Sequence, residues 1–112
     1  MKSQESQIRE TISEKDFSRQ IEDLLKLFGW RWCHFRPART EQGWRTALSG
    51  HQGFPDYIAV RIQRLLIFEL KSEKGAVSPN QKEWLEDLRA TEKIEVYVWR
   101  PSDWEVIVSI LK

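Results

Sequence analysis

A chain of 112 residues has room for one domain, and a hydrophobic share of 40% with 12% aromatics is enough to build a packed core. The 18 basic and 17 acidic side chains leave a net charge of +1, which gives no sign of a nucleic-acid partner, and the one cysteine excludes an intrachain disulfide and a cysteine zinc cluster. No apolar run is long enough for a membrane span and the N-terminus is unlike a signal peptide, so we expect a cytoplasmic protein with no membrane partner.

The N-terminal part predicts a flexible lead-in followed by a helix. Residues 1–10 are polar, and we expect a single domain over residues 11–112. The helix is predicted to begin near Thr11, because Thr11 and Glu14 have the spacing of a capping box, and to end at Gly29. Its apolar residues recur at helical spacing: Phe17, Ile21, Leu24, Leu25 and Phe28.

Three strands and a long loop are predicted next. Residues 30–36 alternate bulky and polar side chains and predict a strand, whereas residues 37–53 have no clear period and predict a loop, which often carries function. Residues 57–60 and 65–71 predict a hairpin of two strands. Both faces of the second strand begin apolar, so we expect that strand to be central in its sheet.

The C-terminal part predicts helix, strand and helix. Ser78 to Gln81 opens a helix with an N-cap serine and a glutamine at its third position, and residues 94–99 predict a fourth strand. Ser102 and Glu105 predict a second capping box for a last helix. The predicted order is α-β-β-β-α-β-α, an α/β domain with a central mixed sheet flanked by helices.

The chemistry is predicted at one edge of this sheet. Glu69 and Lys71 are two residues apart on a strand and therefore point to the same face. Asp56 begins the preceding strand, and an antiparallel hairpin brings the start of one strand beside the end of the next. We therefore expect Asp56, Glu69 and Lys71 to converge, unless they are separately a turn residue and a surface ion pair.

Two carboxylates and a lysine suit a hard divalent cation, Mg²⁺ or Mn²⁺. Such an ion would acidify a bound water and neutralise charge on a phosphate, while Lys71 holds the water or stabilises the transition state. Glu14 lies on the apolar stripe of the first helix and Glu22 well off it. Glu14 and Gln81 are either helix-capping residues or further members of the site, and the spacing leaves both alternatives open.

These residues resemble a known family. Gly53, Pro55 and Asp56, followed by Glu69-Leu70-Lys71, are similar to the VRR-NUC (virus-type replication-repair nuclease) branch of the PD-(D/E)xK nucleases. The upstream Glu14 and the helix that Ser78-Pro79-Asn80-Gln81 opens make the resemblance specific. It covers roughly residues 13–111 and is closest to small stand-alone members found in phages.

The resemblance implies a restriction-endonuclease-like fold and an endonuclease that uses Mg²⁺ or Mn²⁺, with no organic cofactor. It implies that Asp56, Glu69 and Glu14 bind metal, that Lys71 assists the nucleophilic water, and that Gln81 supports the site. It also implies branched DNA, such as four-way Holliday junctions in DNA repair, as the substrate, and a homodimer as the active form.

The predicted loop combines arginines with aromatic residues. Such a pattern suits contacts to phosphates and stacking on bases. We expect DNA contacts from five side chains: His34, Arg36, Arg39, Trp44 and Arg45. The alternatives are that the arginines pair with acidic helices and that His34 is a packed structural residue.

Two other functions remain open at the level of sequence. The first is a nuclease that acts on flaps, duplex ends or RNA. The second is a DNA-binding module that has the fold without catalysis. The second hypothesis has to explain why the chain carries two acids and a lysine whose burial is costly.

Overall fold

A computed structural model describes residues 11–36, 38–41, 43–45 and 48–112, apart from the side chains of residues 38–40, 44 and 45. The expectation of a flexible segment at residues 1–10 lies outside these residues. The described elements are, in chain order, α1 (Glu14–Leu27), β1 (Arg31–His34), β2 (Ala38–Thr40), β3 (Gly43–Arg45), β4 (Tyr57–Arg61), β5 (Arg64–Leu70), α2 (Pro79–Arg89), β6 (Ile94–Trp99), a 3-10 turn (Pro101–Asp103) and α3 (Trp104–Leu111).

Four strands form one mixed sheet in the order β1-β4-β5-β6. β1 and β5 both pair antiparallel with β4, whereas β6 runs parallel to β5. β5 is therefore central, as its two apolar faces predict. The parallel pair is joined through α2, the usual way to return the chain to the same end of a sheet. The mixed α/β class is confirmed.

Aromatic rings line up across the strands at one end of this sheet. Tyr57 of β4 lies opposite His34 of β1 and opposite Phe68 of β5, with ring centroids 4.1 and 4.9 Å away. Phe68 in turn contacts Trp99 of β6 at 4.5 Å. Asp56 directly precedes Tyr57 and Glu69 directly follows Phe68, so this packing fixes the backbone on which both carboxylates stand.

The core lies between this sheet and the helices α1 and α3. α1 buries the predicted stripe of Phe17, Ile21 and Leu25, and α3 buries Ile107 and Leu111. Trp30 anchors the end of α3, since its indole N–H donates to the Leu111 carbonyl at 2.9 Å. Within the described part of the chain, no helix combines the length and apolar character that crossing a bilayer requires.

The predicted start of the first helix is wrong. The N-cap is Ser13, whose Oγ accepts a hydrogen bond from the Asp16 N–H at 3.1 Å, so Glu14 is the first helical residue and does not close a capping box with Thr11. A cap at Ser13 places Ile12 and Phe17 at the two positions of a hydrophobic staple. Ile12 does pack against the core, which favours this start over the earlier one.

Two further predictions need correction. The predicted loop at 37–53 contains the antiparallel pair β2–β3, which forms a separate two-stranded sheet. Three-residue strands are too short to show a period in the sequence. At the last helix, Ser102 does not form the predicted capping box, because its hydroxyl donates to Glu73 at 2.7 Å and a 3-10 turn precedes α3.

Candidate active site at the end of strands β4 and β5

The candidate site lies where the β4–β5 ladder ends. Tyr57 pairs with Phe68, so one further step of the register sets Asp56 opposite Glu69. Beyond that pair, carboxylate side chains accept hydrogen bonds from the backbone of the neighbouring strand. The Asp56 N–H donates to Glu69 Oε2 at 3.2 Å, and the Leu70 N–H donates to Asp56 Oδ2 at 3.4 Å. The two carboxylates are thus held side by side by each other's strand.

Glu69 is the buried member of the pair, with 2% of its surface exposed. Burial and, secondarily, the neighbouring Asp56 carboxylate raise the pKa of Glu69 to about 8, although the Lys71 ammonium acts in the opposite direction. Both causes penalise a second negative charge at this point. A positive ion near the pair would therefore offset the cost of ionising Glu69.

Lys71 and Gln81 reach Glu69 from two directions. Lys71 Nζ lies 3.7 Å from Glu69 Oε1, and Gln81 Nε2 donates to the same oxygen at 3.0 Å. Gln81 also forms the predicted capping box, since its Oε1 accepts from the Ser78 N–H at 2.9 Å and its N–H donates to Ser78 Oγ at 3.2 Å. The cap directs the amide N–H groups toward Glu69, so capping and site contact occur together.

The loop before Asp56 approaches α2 so closely that only glycine fits at position 53. Gly53 has φ +99°, and a Cβ there would lie 2.7 Å from the Asn80 carbonyl carbon. The Gly53 backbone therefore packs directly on the first turn of α2. Pro55 is fully buried next to it. Together they hold Asp56 and Gln81 at a fixed separation.

Arg100 holds the segment that follows Lys71. Its guanidinium donates to the carbonyls of Ser72, Glu73 and Gly75 at 2.7, 3.2 and 2.7 Å. The Lys71 N–H donates to the Trp99 carbonyl at 3.1 Å, one residue before Arg100. The lysine is therefore attached through its backbone to β6 and through the following turn to Arg100. The sequence gives no sign of this role, since Arg100 lies outside every motif.

A cleft of about 500 Å³ opens beside Asp56, between α1 and the end of β1. Glu14 is exposed and lines this cleft together with Asp56, but no contact joins it to the carboxylate pair. Among the described residues, no three His, Cys, Asp or Glu side chains are grouped closely enough to hold a metal together. The structure brings Asp56, Glu69, Lys71 and Gln81 together, and leaves Glu14 across the cleft.

Glu22 is the residue of this cleft that the helical periodicity missed. Its side chain is only 13% exposed, and it accepts a 2.5 Å hydrogen bond from the Tyr57 hydroxyl. His34 Nδ1 and Arg36 Nη2 lie 3.3 and 3.8 Å from the same carboxylate oxygen. Tyr57 is buried, and a buried phenol hydroxyl needs a partner. That requirement is the one signal in the sequence that could have pointed to a nearby acid.

The predicted DNA contacts have separate outcomes. His34 is packed on Tyr57, and its Nδ1 accepts from Arg36 Nε at 3.2 Å. Burial lowers the pKa of His34 and so favours its neutral form. Arg36 approaches Glu22, yet its side chain is 67% exposed at the cleft. The side chains of Arg39, Trp44 and Arg45 lie outside the described residues.

Arg61 and Arg64 form internal contacts at the other end of the sheet. Arg61 donates to the carbonyls of Phe28 and Leu111 at 2.9 and 2.8 Å, and Arg64 forms two 2.8 Å hydrogen bonds with Glu95. The guanidinium groups of Arg61 and Arg64 are therefore committed to internal contacts.

Neither the models of known protein families nor the curated proteins include a match to this chain. The functional conclusion consequently rests on the geometry of the site.

Proposed function

We propose that this protein is a nuclease that depends on Mg²⁺ or Mn²⁺ and hydrolyses phosphodiester bonds of DNA. The observation that carries the proposal is the carboxylate pair Asp56–Glu69, with Lys71 and Gln81 in contact with it, at the open end of a central hairpin. The order of helices and strands supports a restriction-endonuclease-like fold. The motif residues support membership of the VRR-NUC nucleases.

The donor set fits a hard divalent ion. Carboxylate oxygens are the ligands that Mg²⁺ and Mn²⁺ favour, and Asp56 and Glu69 present theirs from adjacent strands. Each oxygen that accepts one hydrogen bond keeps further lone-pair capacity. Because the pKa of Glu69 is raised, a positive charge nearby would favour the ionised form of this carboxyl. Glu14 lines the same cleft and could join the metal site once a substrate and its ion are bound.

The chain's own residues supply orientation and charge. A bound divalent ion neutralises phosphate charge and acidifies water. Lys71 adds a cation beside Glu69 that counters the charge growing on the phosphoryl oxygens as water adds to phosphorus and the P–O bond to the leaving oxygen breaks. Gln81 fixes the rotamer of Glu69 through the 3.0 Å hydrogen bond, which keeps the carboxylate aligned before substrate arrives.

Branched DNA and a homodimer belong to the same proposal. Symmetric incision of a four-way junction requires two sites related by a twofold axis, and one domain of this size has a single such site. Sedimentation of the protein at micromolar concentration, with and without junction DNA, tests the dimer. A species of 13.4 kDa under both conditions contradicts it.

The nuclease proposal is tested by cleavage of four-way junction, flap, splayed-arm, linear duplex and single-stranded DNA, with Mg²⁺ and with Mn²⁺. We expect Glu69→Gln and Lys71→Ala to abolish cleavage while DNA binding persists. The matched controls are Glu86→Gln and Lys74→Ala, both exposed and outside the site, which should cut like the parent.

Two results contradict the proposal. The first is cleavage by Glu69→Gln or Lys71→Ala at the parent rate. The second is DNA binding by the parent without cleavage of any substrate and without stabilisation by Mn²⁺, which favours the DNA-binding module.

A further inference from the structure

A row of three aromatic rings begins at the cleft beside Asp56 and continues to α2. Phe35 follows β1, Phe54 precedes Asp56 by two residues, and Trp84 lies on α2. Phe35 and Phe54 meet edge to face with centroids 5.6 Å apart, and Phe54 and Trp84 meet in the same way at 5.1 Å. The motif that predicts the carboxylates does not account for this row.

Phe35 is the open end of the row. It is 47% exposed, whereas large apolar side chains gain most by burial, and it lines the same cleft as Asp56. Its N–H donates to the Asp56 carbonyl at 2.8 Å, so the backbone that carries the ring is bonded to the backbone that carries the carboxylate. An exposed ring fixed this close to the reacting groups is a surface on which a flat ligand can stack.

The same cleft carries cations suited to a sugar-phosphate backbone. Lys15 and Arg19 reach it from α1, and Arg36 reaches it from the residue after Phe35. Its volume of about 500 Å³ is that of a pocket for one small organic molecule, which suits a nucleotide of a single strand. A base inside a duplex has both faces covered by its neighbours, so only an unpaired base offers a face to Phe35.

From these contacts we infer that Phe35 is the stacking platform for an unpaired base of the DNA strand that the Asp56–Glu69 site cuts. Lys15, Arg19 and Arg36 hold the phosphates of that strand. The substrate is then branched DNA with an unpaired nucleotide at the cut, as at the branch point of a flap, a splayed arm or a four-way junction whose central base pairs have opened. This inference rests on the proposed nuclease function and narrows its substrate class.

The first test measures stacking without cleavage. A single-stranded oligonucleotide that carries 2-aminopurine is titrated with protein in EDTA, and base stacking is followed as loss of fluorescence. We expect quenching by the parent, roughly tenfold weaker binding by Phe35→Leu, and recovery by Phe35→Trp. Ile62→Ala is the matched control, because Ile62 is 86% exposed in the β4–β5 turn at the opposite end of the sheet.

The second test measures cleavage with Mn²⁺ on paired and unpaired substrates of one sequence. The parent should prefer the substrate with unpaired nucleotides at the cut, and Phe35→Leu should lose roughly tenfold in kcat/KM on it, with recovery in Phe35→Trp. Equal quenching by the parent and Phe35→Leu, or equal cleavage of both substrates by the parent, overturns the inference. Stacking without cleavage of any substrate overturns the nuclease proposal and leaves the platform in place.

Discussion

Replacement of Glu69 by glutamine should remove a large pH dependence from the stability of the metal-free protein. The pKa of Glu69 is about 8 in the folded chain, against an ordinary value of 4.5. Between these values the folded state holds a proton that the unfolded state has lost, so the free energy of unfolding falls as the pH rises and stops falling above about pH 8. The amide of Glu69→Gln does not titrate and keeps the Gln81 contact possible.

The size of the effect follows from the width of that window. Each pH unit well inside it costs about 1.4 kcal/mol and the slope halves at the folded pKa, so the parent should lose about 2 kcal/mol between pH 6 and pH 8 through Glu69. The two histidines are present in both proteins and cancel in the difference.

The measurement is urea unfolding in EDTA at pH 6, 7 and 8 for the parent, for Glu69→Gln and for the exposed control Glu86→Gln. We expect the parent and Glu86→Gln to share a slope that Glu69→Gln lacks. Parallel stability curves for the parent and Glu69→Gln would refute the assignment of Glu69 as a protonated, buried acid next to Asp56.

Three further predictions concern the elements around the pair. Mn²⁺ at one hundred times its dissociation constant should stabilise the parent by about 2.7 kcal/mol in thermal unfolding at pH 8. An equal stabilisation of Asp56→Asn would show that Asp56 does not bind the ion. Gly53→Ala should cost about 2 kcal/mol or more in urea unfolding, because the left-handed backbone and the contact with Asn80 both oppose a Cβ, so an unchanged midpoint would contradict the close approach. Arg100→Met should slow cleavage and lower the free energy of unfolding by about 1–3 kcal/mol, because three carbonyls lose their hydrogen-bond donor. The exposed control Arg89→Met should change neither the cleavage rate nor the stability. Cleavage at the parent rate by Arg100→Met would show that the turn held by Arg100 does not position Lys71.

The hairpin and its carboxylates could be predicted because they depend on short-range rules. Strand alternation sets Glu69 and Lys71 on one face, and antiparallel pairing brings Asp56 opposite Glu69. These rules need only the strand boundaries and a tight turn. The same holds for the capping box of Ser78 and Gln81, whose atoms lie within three residues of each other.

The features that could not be predicted depend on partners far along the chain. Ser102 has the spacing of a cap, yet Glu73, 29 residues earlier, takes its hydroxyl. Glu22 lies off the apolar stripe of α1, and its burial follows from Tyr57, 35 residues later. In both cases a tertiary hydrogen bond overrides the local sequence pattern, and a single sequence does not identify the distant residue that forms it.

The two carboxylates differ in a way that orients the whole site. Glu69 is enclosed by Gln81, Lys71 and the Asp56 backbone, whereas Asp56 is half-buried and faces the cleft that Phe35 lines. The cleft therefore approaches the pair from the Asp56 side, beside Phe35. Because the Phe35 N–H is bonded to the Asp56 carbonyl, a strand that stacks on the ring, as proposed, would lie near the carboxylate. In the proposed nuclease, substrate positioning and the charge of the site would thus depend on the same few residues where β1 and β4 meet.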